Sequence, residues 1–435
     1  MDRQPCICDT ALQYALLVLS VTYLKNIRLW LTNSLIFLVM AALVYGAAEY
    51  AFVRVFPHLF PVAMVQKFEE PDGILPVLQS SKTGFYFYDY IALAGDSYAM
   101  GMGDAMYEQK PNIHQLRFHS AHTIQDLTGK DVMAFGLPGS GSIRGAISNP
   151  VSGLHYLRKL VDESFPAPQR ILLYFYEGND LTENWMYYEK TFLPDHSAAD
   201  YENPAVFDEY VRKVALGRQH LYLAAEAATV KNRLFFTRFV ERIFSEQVLG
   251  RKFYRKKYPG EFGLIYVPQS HWVPRRSENP VNRAVIAGQT VPLLDNLQGP
   301  SMDLSLEQLQ HAAGTFSKAL AWSRQYFPEA HFTVVYIPSV LSTYQLAGSN
   351  IDAQNYFSEN TRFDTVSLEN RHVWIQSEIK RVCSEQGVPF IDATPDLREA
   401  ALMQTLHGPN DWNHFNKRGY QVLGESIVRQ LPALP

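Results

Sequence analysis

The stretch "YIALAGDSYAMGMGD", residues 90–104, decides how the chain is read. A short apolar run, Ile91 to Ala94, ends at Gly95 and Asp96, and small residues follow at Ala99, Gly101 and Gly103. This is the pattern of a buried strand that leaves its sheet through a glycine turn and enters a helix. Open α/β sheets bind their ligands at the carboxyl ends of the strands, and Ser97 stands at such an end. Gly95-Asp96-Ser97 also reads as a plain turn in which Asp96 or Ser97 caps the helix.

Outward from this stretch the same rhythm recurs. "DVMAFGLPG" (131–139), "RILLYFYEGND" (170–180), "HFTVVYIPS" (331–339) and "VPFIDATPD" (388–396) are apolar runs that end in turn residues. Helical periodicity lies between them, as in 305–327 and 365–386. Apolar strands alternating with helices predict an α/β fold with a central parallel sheet covered on both faces. Residues 181–302 break the rhythm and read as a large insertion, helical over 201–250 and then rich in proline, glycine and aromatics. At 435 residues the chain has room for two or three domains, or for one large domain carrying such an insertion. A net charge of -4 gives no electrostatic case for nucleic acid, so none is expected as a partner. Cys6, Cys8 and Cys383 form neither a disulfide framework nor a zinc pattern, and no metal or cofactor is expected. Cys383 shares a helical face with Ile379 and reads as buried.

The amino terminus has a different character. Residues 29–48, "LWLTNSLIFLVMAALVYGAA", carry no charge over a length sufficient to cross a bilayer. Lys25 and Arg28 precede the run, and basic residues favour the cytoplasmic side, so the remainder of the chain is expected outside it. A shorter apolar run, 11–24, reads as an interfacial helix, a second span, or sequence upstream of the natural start. If both runs span, "KNIR" (25–28) is a cytoplasmic turn. The expected division is therefore a cytoplasmic or interfacial segment (1–28), a single transmembrane anchor (29–53), a linker (54–87) and one large domain (88–435). That domain would face the periplasm or another extracytoplasmic space.

Three further stretches bear on Ser97: "FGLPGSGS" (135–142), "YEGNDLTENW" (176–185) and "GPNDWNHFNKRGYQVLGESI" (408–427). Each places glycine or polar residues at a strand end or a helix start, and in a parallel sheet such ends share one edge. Acyl transfer needs a nucleophile, a base, a group that orients the base, and donors for an oxyanion. Ser97 supplies the nucleophile. Asp411 and His414 are three residues apart, a spacing that on a helical turn puts both on one face. Asp411 then fixes the imidazole tautomer and stabilises the imidazolium. The Ser97 and Gly139 backbone N–H groups and the Asn179 amide are the candidate oxyanion donors, and Asp96 is left to shape the turn.

These four stretches resemble, in order, the conserved blocks of the SGNH subgroup of GDSL-type hydrolases. Gly95-Asp96-Ser97 is similar to the first block, Gly139 to the oxyanion glycine, Gly178-Asn179-Asp180 to the asparagine block, and Asp411 to His414 to the final Asp-x-x-His block. The glycine block of the family often begins with Asn, and Ala134 stands at that position here. The resemblance covers roughly 88–180 and 305–435. It implies a flavodoxin-like three-layer α/β/α fold and esterase, lipase or acyltransferase chemistry. The set differs from the Gly-x-Ser-x-Gly elbow of α/β-hydrolases in that Asp411 and His414 share one motif.

Other signals are weaker. "GSGSIRG" (139–145) has its third glycine one position too late for a dinucleotide loop. His114, His119 and His122 lack a spacing that completes a metal site and read as solvated helix residues. Basic, aromatic "GRKFYRKKYPG" (250–260) suits a solvated helix end or an anionic surface. Tyr344, Arg275 and Arg276 are candidate substrate contacts, with Ser339 and Arg283 beside them. The resulting expectation is a membrane-anchored serine esterase or deacylase acting on an acylated carbohydrate or lipid-like ester of the cell envelope. The alternatives are an O-acyltransferase using the same triad, and a non-catalytic scaffold of an envelope-polysaccharide assembly.

Overall fold

Each apolar run that ends in turn residues becomes a strand. In a computed structural model, residues 7–59, 89–105, 117–160, 165–216, 236–237, 240, 277–357 and 361–432 are described. The strands are β1 (Tyr90–Ala94), β2 (Asp131–Ala134), β3 (Arg170–Tyr176), β4 (Arg283–Ile286), β5 (Gln289–Pro292), β6 (His331–Ile337), β7 (Asn350–Asp352), β8 (Arg362–Asp364) and β9 (Phe390–Asp392). Five of them form one sheet in the order β2-β1-β3-β6-β9, and every pairing within it is parallel. The chain steps outward from β1 to β2, then returns across β1 to β3 and continues to the other edge. The order therefore reverses between β1 and β3, and the crevice at such a reversal is where doubly wound sheets bind ligands.

Both faces of the sheet are buried, which is why its strands are apolar throughout and do not alternate with polar residues. Ile171, Leu173 and Phe175 of β3 enter one core with Ile143, Phe316 and Ile379. Leu172, Tyr174 and Tyr176 enter the opposite core with Ile124, Leu397 and Leu423. The period of two along the strand thus divides its side chains between two helix layers. Helices Leu306–Tyr326 and Thr365–Glu385 lie on the first face, and Ser120–Thr128, Thr394–Ala401 and Lys417–Gln430 on the second. Cys383 is buried in the first core, as the sequence pattern implied.

The insertion is integrated with this core. Short helices Ala198–Glu202 and Pro204–Tyr210 send Tyr201, Phe207 and Tyr210 into the first core. The β4–β5 hairpin joins the second face through a bridge between Ala284 and Leu346.

Among the described residues, one helix, Ile7–Leu59, precedes the sheet. It contains a stretch, Tyr23–Phe52, that is long and apolar enough to cross a membrane. Trp30, Phe37 and Leu38 on it are exposed. Because the helix is continuous, Lys25 and Arg28 lie within it and "KNIR" is no turn. It also runs to Leu59, past the expected end of the anchor at residue 53. At the far end of the apolar stretch, the Glu49 carboxylate accepts the backbone N–H groups of Phe236 (2.8 Å) and Thr237 (3.0 Å). Phe52 packs edge-on against Phe236, so a point in the insertion rests on this helix.

Candidate active site

Ser97 begins the short helix Ser97–Met100 directly after β1. Asp96 caps that helix, its carboxylate accepting the Tyr98 N–H at 2.9 Å and facing the Ser97 hydroxyl at 3.2 Å. The Ser97 Oγ stands 2.9 Å from His414 Nε2, and His414 Nδ1 stands 2.7 Å from Asp411 Oδ2. A carboxylate can only accept, so it holds the proton on Nδ1 and leaves Nε2 as the acceptor for the serine hydroxyl. Ser97 is 5% exposed, and the side chains of His414 and Asp411 are 16% and 14% exposed, so the set is sheltered yet open at the imidazole.

The electrostatics follow from this geometry. Burial alone would lower the pKa of His414, but the Asp411 carboxylate outweighs it and raises the value above 6.5. Burial would raise Asp411, and the facing imidazole outweighs that, leaving it below its ordinary value. Burial is also the main reason that Asp96 is raised.

The loop that carries Asp411 and His414 is not the helical turn expected from the three-residue spacing. Residues 412–414 form a series of bends, and the helix starts only at Lys417. Asp411 Oδ1 accepts the Asn413 N–H at 3.0 Å, an Asx turn that folds the carboxylate back toward His414. The loop is anchored by Asp104, whose two oxygens accept the N–H groups of Asn410 (2.8 Å) and Asp411 (2.9 Å). The Tyr98 hydroxyl donates to the Asn413 carbonyl at 2.8 Å. Gly103 has φ +142, and a Cβ there would lie 2.3 Å from the Phe415 carbonyl oxygen, so only glycine allows the loop to close against the β1 turn.

The remaining blocks meet on the other side. Gly139 has φ +61, a left-handed conformation that favours glycine, and a Cβ placed on it would lie 3.8 Å from Glu183 Oε1. The same oxygen accepts Asn179 Nδ2 at 3.3 Å. Asn179 also lies near Asp96, the neighbour of Ser97, and draws its carboxyl down against burial. Asn184 ties the two blocks together: its Oδ1 accepts the Ser142 N–H at 2.7 Å and its Nδ2 donates to Ser142 Oγ at 2.8 Å. Behind Asn179, Glu177 is completely buried. It accepts from Tyr336 Oη (2.8 Å), His372 Nδ1 (2.6 Å) and the Ser339 N–H (2.7 Å).

Ser97, Asp411, His414, Gly139 and Asn179 therefore come together, and Asp180 turns away from them. The Asp180 carboxylate accepts the Tyr176 N–H at 2.9 Å inside its own turn. Tyr344 does not serve as a site wall. It is 4% exposed, and its hydroxyl accepts the Leu406 and His407 N–H groups and donates to His407 Nδ1, so it braces the chain ahead of the His414 loop. Ser339 likewise caps the helix Val340–Thr343. His119 and His122 are not solvated: both are buried, and burial lowers them to about 3 and about 4. Among the described residues no group of three or more His, Cys, Asp or Glu is placed to hold a metal. Arg275, Arg276, His114 and residues 250–260 lie outside the described residues. Arg283 begins β4 and is exposed. Sequence reading missed Asp104, Glu177, Glu183 and Asn184. Glu183 stands four residues after Asn179, a helical spacing that marks it as a neighbour.

No protein-family model matches this chain, and no curated protein is similar to it.

Proposed function

We propose that the chain is a membrane-anchored serine esterase of the SGNH type, acting outside the cytoplasm on an acylated envelope or exopolysaccharide substrate. The observation that carries the reading is the continuous chain Ser97–His414–Asp411, at 2.9 and 2.7 Å, beyond the carboxyl end of β1. The strand order supports it, since counting only the five sheet strands gives 2-1-3-4-5, the flavodoxin-like order that the resemblance implies. Lys25 and Arg28 at the start of the apolar stretch support the outward placement of the domain.

In this mechanism Ser97 Oγ attacks the ester carbonyl while His414 Nε2 takes its proton. The tetrahedral oxyanion is stabilised by the Ser97 and Gly139 N–H groups and the Asn179 amide, each worth about 3 kcal/mol in the transition state. His414 returns the proton to the departing alcohol, and the Ser97 acyl ester remains. Water, deprotonated by His414, then releases the acid and restores the serine. A sugar hydroxyl in place of that water would give O-acyl transfer.

The test uses the full chain in detergent with p-nitrophenyl acetate and a fluorophosphonate probe. Labelling at Ser97 and turnover, both lost in Ser97→Ala and His414→Ala, are expected. A folded protein that neither labels nor turns over would sink the reading and leave a non-catalytic role. An acylated oligosaccharide acceptor as the main product would convert the esterase to a transferase.

A further inference from the structure

We propose that Glu183 is a positioning residue for this site, holding the Asn179 amide at the oxyanion position from the first turn of the helix Asp180–Tyr187. The proposal rests on the esterase reading and deepens it. Glu183 Oε1 lies between the two remote oxyanion groups: it accepts Asn179 Nδ2 at 3.3 Å and is 3.8 Å from where a Cβ on Gly139 would be. The glycine loop also packs on its stem, since a Cβ on Gly141 would lie 2.9 Å from Glu183 Cβ. Its other oxygen, Oε2, is buried with no hydrogen-bond partner among the described residues, as are Asn179 Oδ1 and Asp180 Oδ1. Unpartnered buried oxygens are costly when charged and far less so when a carboxyl carries a proton.

The groups facing Glu183 point the same way. Asp96 approaches from the β1 turn, Asp180 from the same helix, Tyr356 from the loop after β7, and Arg144 from the helix Ile143–Ser148 that follows the glycine loop. The Asp96 carboxyl raises both Asp180 and Glu183 through space, and carboxyls that influence one another in a buried site do not all ionise at neutral pH. The facing cation among the described residues, Arg144, is exposed and has a guanidinium N–H donated to the Gly139 carbonyl at 3.1 Å. Burial, then Asp96, push Glu183 up to about 8 against the pull of Arg144. Glu183 is therefore uncharged at neutral pH and places no negative charge beside the developing oxyanion. Above about 8 it ionises and opposes that charge.

The consequence is a bell-shaped kcat/KM profile. The rate rises as His414 loses its proton and falls as Glu183 ionises. Glu183→Gln keeps an acceptor for the Asn179 amide and cannot ionise, so the alkaline limb should vanish while neutral-pH activity stays within a few-fold. Glu183→Ala should lower kcat about 10-fold or more with little change in KM, a smaller loss than removal of an oxyanion donor itself, typically ~100-fold. Arg144→Ala, at an exposed position, should move the alkaline limb to higher pH, and it keeps the proposal testable should the Glu183 variants fold poorly. A second readout needs no activity: infrared difference titration of the Ser97→Ala protein should show a protonated carboxyl that disappears near pH 8 and is absent in Glu183→Gln. Ser97 labelled by fluorophosphonate, but with an alkaline limb unchanged in Glu183→Gln and in Arg144→Ala, overturns the Glu183 role alone. A folded chain never labelled at Ser97 overturns the esterase reading and this role with it, whatever the infrared band shows.

Discussion

The backbone N–H of Asp411 donates to Asp104 Oδ1 at 2.9 Å, and the neighbouring Asn410 N–H donates to the other oxygen at 2.8 Å. One carboxylate from the chain just after Ser97 thus sets the position of the loop that carries Asp411 and His414. Ser97, His414 and Asp411 need not find each other independently: once β1 and its turn are in place, Asp104 carries the docking geometry.

Asp104→Ala leaves two part-buried N–H groups without an acceptor, at about 1–3 kcal/mol. It should lower the melting temperature and reduce kcat/KM more than an equal loss of stability elsewhere, because the Ser97–His414 distance depends on this loop. Asp104→Asn retains one accepting oxygen and should fall between. Calorimetry with esterase kinetics on the two variants checks both; equal kcat/KM in all three proteins would refute the docking role.

Asp411→Asn should reduce kcat by about 10³–10⁴-fold, because an amide no longer fixes the Nδ1–H tautomer. The pH dependence adds a sign. In the proposed mechanism His414 acts as a base, so activity needs it neutral and appears above its pKa. Asp411 raises that pKa. Removing the carboxylate therefore moves the acid limb to lower pH while the plateau drops. A residual activity whose acid limb stays in place would show that another group raises His414.

The sheet was readable because parallel strands buried on both faces must be apolar throughout, and "RILLYFY" fits little else. Ser97, Gly139, Asn179 and His414 were readable because each stands where a strand or loop meets the shared edge. The "DWNH" loop was misread as a helical turn because a three-residue spacing serves a helix and an Asx turn equally well. Tyr344 follows β6 as a site residue might, yet which way its hydroxyl points depends on His407, 63 residues further on. Asp104 carries no sequence signal of its own, since its role exists only after two distant segments meet. The hydropathy of the amino-terminal helix was plain, and its continuity through Lys25 and Arg28 was not, because charged residues with good helix propensity do not interrupt a helix.

His372→Ala should cost about 3 kcal/mol or more, since it strands a fully buried Glu177. Burial would lower His372, but the Glu177 carboxylate raises it above 6.5, so its contribution is full below the unfolded value and fades as pH rises through the folded one. Burial would raise Glu177, but His372 and the hydrogen bonds lower it below 4.5, so its contribution holds above that value and fades as pH falls through the folded one. The pair is therefore worth most between the two folded values. The stability gap between parent and His372→Ala, followed by urea unfolding across pH, should be widest there and narrow on both sides. A gap that does not change with pH would mean that His372 contributes packing alone.

The helix Ile7–Leu59 makes a prediction that does not depend on the chemistry. Its stretch Tyr23–Phe52 is exposed along most of its length and has at least the ~20 residues a bilayer requires. Arginine near the centre of a span costs about 2.5–3.5 kcal/mol per residue. Leu35→Arg combined with Leu38→Arg should therefore shift the chain from the carbonate-resistant membrane pellet to the soluble fraction. The same two changes on a helix that packs against protein would instead unfold or aggregate the chain. Retention of the double variant in the pellet, with unchanged resistance to carbonate, would mean that the helix does not hold the protein in the membrane.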